Sequence, residues 1–298
     1  MKTFDREFTI NGIGVHSGAT VTMTVRPSET VGIDFQRSDL PDPAIPATYD
    51  RVGATFLRNT TIGDIRGACV QTIEHVMAAL CIMGIDGAHF LVDGPETPIL
   101  DGSAAEFCRI FLDKIVEKPG KTKKIIIKKE IVARPLSEVP NPNNDSFVRL
   151  YPDQRGLNIS ARLVYSEKII GDQSYSFLFD GTKKTRKRFL KDIARARTFG
   201  KLEEWEQLKT MGMGRGCSEE NVIVIAPGNE SVANVHPYGL RWSDEFVRHK
   251  IIDIIGDMFT AGGHVVGGVE SYKGSHALNN AALKKLFESQ DNYDILGG

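Results

Sequence analysis

Cysteine is scarce in this chain. Its four residues, Cys69, Cys81, Cys108 and Cys217, lie far apart with no CxxC pair. That is not the density of a disulfide framework, and suits free thiols in a reducing cytosol. Charge of one sign is also missing. The 37 basic and 38 acidic residues leave a formal net charge of -1, which argues against a general nucleic-acid binder and leaves any ligand to be recognised locally. Long apolar runs are absent too. The longest uncharged one, Val76 to Ile85, is far short of the roughly 20 residues of a membrane span, so membrane contact is expected to be peripheral at most. The start, MKTFDREFTINGIG, carries early acids and no apolar core, so neither a signal nor a transit peptide is expected and a cytoplasmic location is.

What remains is a chain of 298 residues, 41% hydrophobic, long enough for two compact domains. Alternating segments at Phe8 to Ile10, Val21 to Val25 and Gly32 to Phe35 read as strands, followed by a helix over Ile73 to Met83 and a strand over His89 to Val92. Ser103-Ala-Ala-Glu106 has capping-box spacing and predicts a helix over Ala104 to Val116. A basic, proline-marked linker from Glu117 leads to a strand at Lys124 to Lys128. Strands at Phe147 to Tyr151 and Leu157 to Tyr165 follow, then a helix over Gly181 to Arg195 and an excursion from Phe199 to Pro227. Helices over Ser243 to Phe259 and Asn279 to Glu288 complete the chain. Strands followed by helices, without βαβ alternation, mean α+β. The simplest partition is residues 1–120 and 121–298.

The segment Asp244 to Asp257 carries the strongest chemical signal. On a helix His249, Asp253 and Asp257 fall within about 80° of one another, while Ile251, Ile254, Ile255 and Met258 follow the spacing of a core face. A histidine and an aspartate one turn apart are two ready metal ligands that need a third; the plainer reading is an exposed hydrogen-bonding pair. Glu74-His75 supplies the missing pieces. Neighbours on a helix point about 100° apart, so with His75 on a metal, Glu74 stays out of the coordination sphere yet close enough to reach a coordinated water as general base. The alternative is a helix start at which Glu74 favours the positive dipole end. His276, in the turn Tyr272-Lys-Gly-Ser-His276, has the chemistry to protonate a departing amine. A helix N-terminus would disfavour its charged form and a carboxylate such as Asp257 would restore it.

Taken together, these stretches resemble the UDP-3-O-acyl-N-acetylglucosamine deacetylase family, the zinc enzymes of lipid A biosynthesis. The matching segments are Gly12-Ile-Gly-Val-His-Ser-Gly18, Thr72-Ile-Glu-His-Val-Met-Ala-Ala-Leu80, Pro98-Ile-Leu-Asp-Gly-Ser-Ala-Ala105, Ala196-Arg-Thr-Phe-Gly200, Asp244 to Asp257 and Tyr272 to Asn280, in the family's order. The resemblance implies two α+β sandwich domains with facing helical layers, a small insert in each (the second at about 200–229), and a metal site between the domains. It implies one Zn²⁺ per chain on His75, His249 and Asp253, with Glu74 as base and His276 as acid. Thr198 would bond the oxyanion, Lys250 would lie near substrate oxygens and Asp257 would orient His276. Lys273 would contact the nucleotide-sugar phosphates and Phe199 would line the sugar or uridine side. The implied substrate is UDP-3-O-acyl-N-acetylglucosamine, bound by a monomer near the inner membrane face of a Gram-negative cell.

The chain departs from the family's usual pattern in three places. Gly274-Ser275 replaces Ser-Gly before the acid histidine, Tyr165-Ser-Glu-Lys168 keeps the aromatic but not a following His-Pro, and Arg215 stands where an apolar residue is expected near the acyl passage of the second insert. His16, in its glycine-flanked turn, reads as a structural hydrogen bonder. His89, His236 and His264 lack ligand-like spacing, and the basic run Lys183 to Arg188 reads as a solvated helix face. Two rivals stay open. Non-haem iron enzymes use the same two-His-one-Asp set, and a non-enzymatic protein can use such residues merely to bridge domains. A base beside one ligand and a separate acid favour hydrolysis.

Overall fold

The computed structural model describes residues 1–53, 59–135, 145–210, 212–227, 231–234 and 239–298. The chain is α+β, as expected. Among the described residues there are six α-helices: α1 (Glu74–Met83), α2 (Ala105–Leu112), α3 (Lys183–Asp192), α4 (Leu202–Thr210), α5 (Glu245–Phe259) and α6 (His276–Phe287). The first main sheet runs in the order Phe8–Ile13, Thr20–Pro27, Gly87–Val92, Gly32–Arg37, Ile45–Pro46. Its only described parallel pair joins Gly32–Arg37 to Gly87–Val92. The second main sheet is built around His264–Tyr272, which pairs in parallel with Lys124–Ile127 and Leu157–Val164 and antiparallel with Phe147–Tyr151. Every described strand pairing lies within residues 2–117 or within residues 124–296.

The central strand His264–Tyr272 was not expected, because its paired glycines weaken any strand signal. Packing explains them. A Cβ on Gly267 would come within 2.4 Å of the Ile127 side chain, and one on Gly268 within 2.1 Å of the Tyr151 ring. Glycine here allows neighbouring side chains to lie across the backbone.

The boundaries of α2 and α6 differ from expectation for local reasons. The capping box at Ser103 does not form. Ser103 Oγ donates to Asp101 Oδ1 at 2.7 Å and accepts from the Ala105 amide at 3.2 Å, while Glu106 turns to Arg109 at 2.9 Å. The helix then stops at Leu112, and Ile115–Glu117 instead forms a strand against Lys2–Phe4. In the second half α6 begins at His276 rather than Asn279, because Ser275 Oγ accepts from the Leu278 amide as an N-cap.

The excursion after Phe199 forms a small sheet of Phe199–Lys201, Ile223–Ile225 and Val232–Asn234, with α4 between its first two strands. It seats on a separate apolar cluster of Val15, Ile99, Val222 and Val224 with Trp205 packed against it. The first-half excursion carries a short hairpin, Ile62–Gly63 against Cys69–Val70. The basic helix α3 exposes Lys183, Lys184, Lys187 and Arg188 as a solvated face, while Phe189 is buried and Arg186 Nε donates to the Ile82 carbonyl near the end of α1 at 2.9 Å.

Asp86, just beyond α1, links the two halves. Its carboxylate accepts from the Lys2 amide at 2.6 Å and the Thr122 hydroxyl at 3.1 Å, with His264 Nε2 3.4 Å away. Burial opposes its ionisation, but His264 and the Lys2 amide outweigh burial and hold the carboxyl below its usual value of 3.8. A folded value below the unfolded one means that ionised Asp86 favours the fold above about pH 4 and that this contribution disappears as pH falls through the folded value. Asp86→Asn is therefore expected to cost about 1–3 kcal/mol at pH 7, with the gap to wild type closing under acid. Calorimetric unfolding across pH 3–7 checks this, and a pH-independent gap would contradict it.

Candidate active site

Facing helices from the two halves build the site. All ten residues of α1 are buried, as are thirteen residues of α5 including His249, Asp253 and Asp257. The close approach depends on Gly256, where a Cβ would stand 2.0 Å from the Glu74 carbonyl oxygen. Only a residue without a side chain lets α5 lie against the start of α1 at that distance.

The entry to α1 is held by a polar relay. Thr72 has φ of 60°, a left-handed conformation that a β-branched residue adopts only under restraint. Its hydroxyl donates to Glu96 Oε1 at 2.8 Å and accepts from Asn59 Nδ2 at 3.0 Å, and its carbonyl accepts from Thr97 Oγ1. Glu96 also takes the amides of His16 and Ser17, at 3.0 Å each to Oε2. These amides staple the glycine-flanked turn to the relay, while the His16 imidazole Nδ1 is buried without a hydrogen-bond partner.

At the seam, His75, His249 and Asp253 each offer a ligand atom within 4.8 Å of the others. His75 Nε2 lies 3.8 Å and His249 Nε2 3.2 Å from Asp253 Oδ1. The three residues are 2–3% exposed, so the reading of His249 and Asp253 as an exposed surface pair does not hold. His249 Nδ1 lies 3.0 Å from the Ala196 carbonyl. A carbonyl can only accept, so Nδ1 carries the proton, and in the neutral ring Nε2 turns its lone pair toward Asp253. Asp253 Oδ1 is buried without a hydrogen-bond partner. Two lone pairs facing each other at 3.2 Å in a desolvated seam call for a cation between them. The separations also approach the roughly 3.3 Å between ligand atoms implied by tetrahedral bonds of about 2.0–2.1 Å. Burial pushes the His75 imidazole down to about 3, keeping it in the neutral form that binds metals. The donor set therefore fits a divalent metal.

Beside this triad stand a buried carboxyl group and a buried imidazole. Glu74 is buried, which raises its carboxyl to about 7, and Oε2 accepts the Thr60 amide at 2.9 Å. His276 Nδ1 meets Asp257 Oδ2 at 2.8 Å, and its Nε2 lies 3.9 Å from Asp253 Oδ2. Burial opposes the imidazolium, but Asp257 outweighs it and raises His276 to about 9. Asp257 Oδ2 also accepts from Asn279 Nδ2 at 2.8 Å.

A profile of the family described as LpxC, UDP-3-O-acyl N-acetylglycosamine deacetylase, matches residues 1–288. The chain belongs to this family. Proteins named UDP-3-O-acyl-N-acetylglucosamine deacetylase from Myxococcus xanthus and a Geobacter species are 39% and 41% identical to it, over 99% of this chain and 88% and 91% of theirs. One from Campylobacter jejuni subsp. doylei is 38% identical over 96% of this chain and 90% of its own length.

The other residues expected by resemblance to the LpxC deacetylases are placed unevenly. Lys250 Nζ donates to Asp253 Oδ2 at 2.8 Å and stands 5.7 Å from the Phe199 ring centre. That ring lies 6.3 Å from the His249 imidazole and 5.0 Å from Phe246. Thr198 is two residues from the carbonyl that orients His249, and its amide donates to Gly102 at 2.8 Å. The same segment is anchored by the buried pair of Arg197 and Glu245 at 2.9 Å. Lys273 differs in being engaged by Asp145 at 2.7 Å, on the surface. His236 lies outside the described residues.

Four contributors escaped sequence reasoning: Thr60, Asn279, Gly256 and the Ala196 carbonyl. Asn279 was within reach, since it lies one turn after His276 on α6 and inside a matching stretch. Thr60 had no local signal beyond the polar triplet Asn59-Thr60-Thr61. Gly256→Ala is expected to destabilise the fold by about 1–3 kcal/mol through overpacking and to weaken divalent-metal binding. Thermal unfolding and metal titration read the two effects, and wild-type values in both would show that the helices part at no cost.

Proposed function

We propose that this chain is a zinc-dependent amidohydrolase that converts UDP-3-O-acyl-N-acetylglucosamine and water into UDP-3-O-acyl-glucosamine and acetate, a step toward lipid A. The observation that carries this reading is a buried metal-competent triad with a carboxylate and a carboxylate-paired imidazole beside it, in a chain whose relatives are named for that reaction. His75, His249 and Asp253 would hold one zinc ion per chain. Such an ion, when bound, polarises the acetyl carbonyl and lowers the pKa of water.

Amide hydrolysis needs one proton taken and one given. Glu74, whose value near 7 comes chiefly from burial, takes a proton from water as its oxygen adds to the acetyl carbon. His276, held protonated by Asp257, delivers a proton to the glucosamine nitrogen, so the carbon–nitrogen bond breaks to a neutral amine rather than an amide anion. In this reading Thr198 and Lys250 face the oxygen that gains negative charge, and Phe199 lines the sugar or uridine side. Lys273 exchanges Asp145 for a substrate phosphate. Residues 1–120 and 121–298 are the two domains, with the metal between them. The protein acts as a monomer in the cytoplasm with at most peripheral membrane contact. Among the described residues no helix is long and apolar enough to cross a membrane.

Metal analysis combined with acetate release from UDP-3-O-acyl-N-acetylglucosamine tests the proposal. Chelated protein is expected to recover activity with Zn²⁺, whereas recovery only with iron and oxygen would support the non-haem iron alternative. Glu74→Ala is expected to keep its metal while losing about 10²–10⁴-fold in kcat. Loss of the metal on that change would mean that base and ligand have been confused.

A further inference from the structure

Thr60 lies on the loop that precedes the short hairpin of the first half, and it touches both proton-handling groups at once. Its amide donates to Glu74 Oε2 at 2.9 Å. Its hydroxyl donates to Asp257 Oδ1 and stands 3.2 Å from His276 Nδ1. We infer that Thr60 is a positioning residue that fixes base and acid relative to each other across the seam between α1 and α5.

The inference follows from how many hydrogen-bonding positions are already taken. A hydroxyl has a single proton, and the ionised Asp257 can only accept, so that proton goes to Asp257 and the Thr60 oxygen turns lone pairs toward His276. Asp257 is then held by Thr60 on Oδ1, and by His276 and Asn279 on Oδ2. Three partners on one carboxylate prevent it from rotating. The imidazole it holds therefore keeps Nδ1 on Asp257 and presents Nε2 toward the metal ligands. On the other side, the Thr60 amide occupies Glu74 Oε2 and leaves Oε1 to receive a proton.

Thr60 is itself well supported. Its carbonyl accepts the Ile73 amide at 3.2 Å. The adjacent Asn59 is tied to Thr61 at 2.9 Å and to Thr72 at 3.0 Å, in the relay that ends on Glu96. It is 2% exposed, so water cannot substitute for its hydroxyl. Partners of this kind, one bond removed from the reacting groups, typically contribute about 10–100-fold to activity.

This inference rests on the deacetylase reading, and the test separates the two. Acetate release by the wild-type protein decides that reading. The Thr60 inference is decided by comparing Thr60→Val and Thr60→Ser with it. Valine keeps shape and both backbone contacts and removes only the hydroxyl. We expect Thr60→Val to lower kcat by about 10–100-fold with KM and bound metal close to wild type, and Thr60→Ser to restore most of the loss. In an Asp257→Asn background the same valine change is expected to cost less than about threefold, since the group it orients has been altered. Thr60→Ala, read in the same way, replaces valine if that variant proves unstable. A kcat unchanged without the hydroxyl, a loss of metal, a serine variant no better than valine, or full additivity with Asp257→Asn would each overturn the inference.

Discussion

The structure depends on one constraint, which is that several ionisable groups are packed into a seam from which water is excluded. His75, His249, Asp253, Asp257, Glu74 and His276 are all buried. Left alone, such groups would lose their charges or push the helices apart. Asp257 escapes this through three hydrogen bonds, one of them from the imidazolium of His276, and Asp253 in part through Lys250. Asp253 Oδ1 has no such relief, which makes a cation the natural completion of the seam. Electrostatics acts strongly here because the surroundings are apolar, and the same surroundings raise Glu74 into the range where a carboxylate can exchange protons near neutrality.

The fold serves to hold that seam closed. Gly256 sets how closely α5 approaches α1, the relay through Thr72 and Glu96 sets where α1 begins, and Asp86 ties the region beyond its other end to the second half. The seam lies between elements distant in sequence, so its geometry is set by tertiary packing and not by any local segment. The glycines at 267 and 268 belong to the same design, since the strand they weaken is the one that both Lys124–Ile127 and Leu157–Val164 pair against. Such a frame suits the proposed hydrolysis, in which a proton is accepted on one side and donated on the other within a fixed separation.

Much of this was legible in the residues. The spacing of His249, Asp253 and Asp257 on a helix, and the adjacency of Glu74 and His75, follow from helical periodicity and made each a candidate by number, while their grouping as one ligand set with a neighbouring carboxylate was implied by the family resemblance. The helix start at Ser103 was misread because a capping box is a local pattern, and nearby Asp101 competed for the serine hydroxyl. The central strand was missed because its glycines answer to side chains of other strands. Lys273 is present as expected, but its surface partner Asp145 could not be anticipated from spacing.

By itself, the sequence determined which groups are available and which share a helical face, because those depend on periodicity along a few turns of chain. Only the tertiary structure decided that His75 meets His249 and Asp253, that Asp257 is locked by Thr60 and Asn279, and that Gly256 is the point where two helices touch. Such contacts join residues far apart in the chain through burial and close packing, and no local rule of spacing encodes which buried surface will meet which.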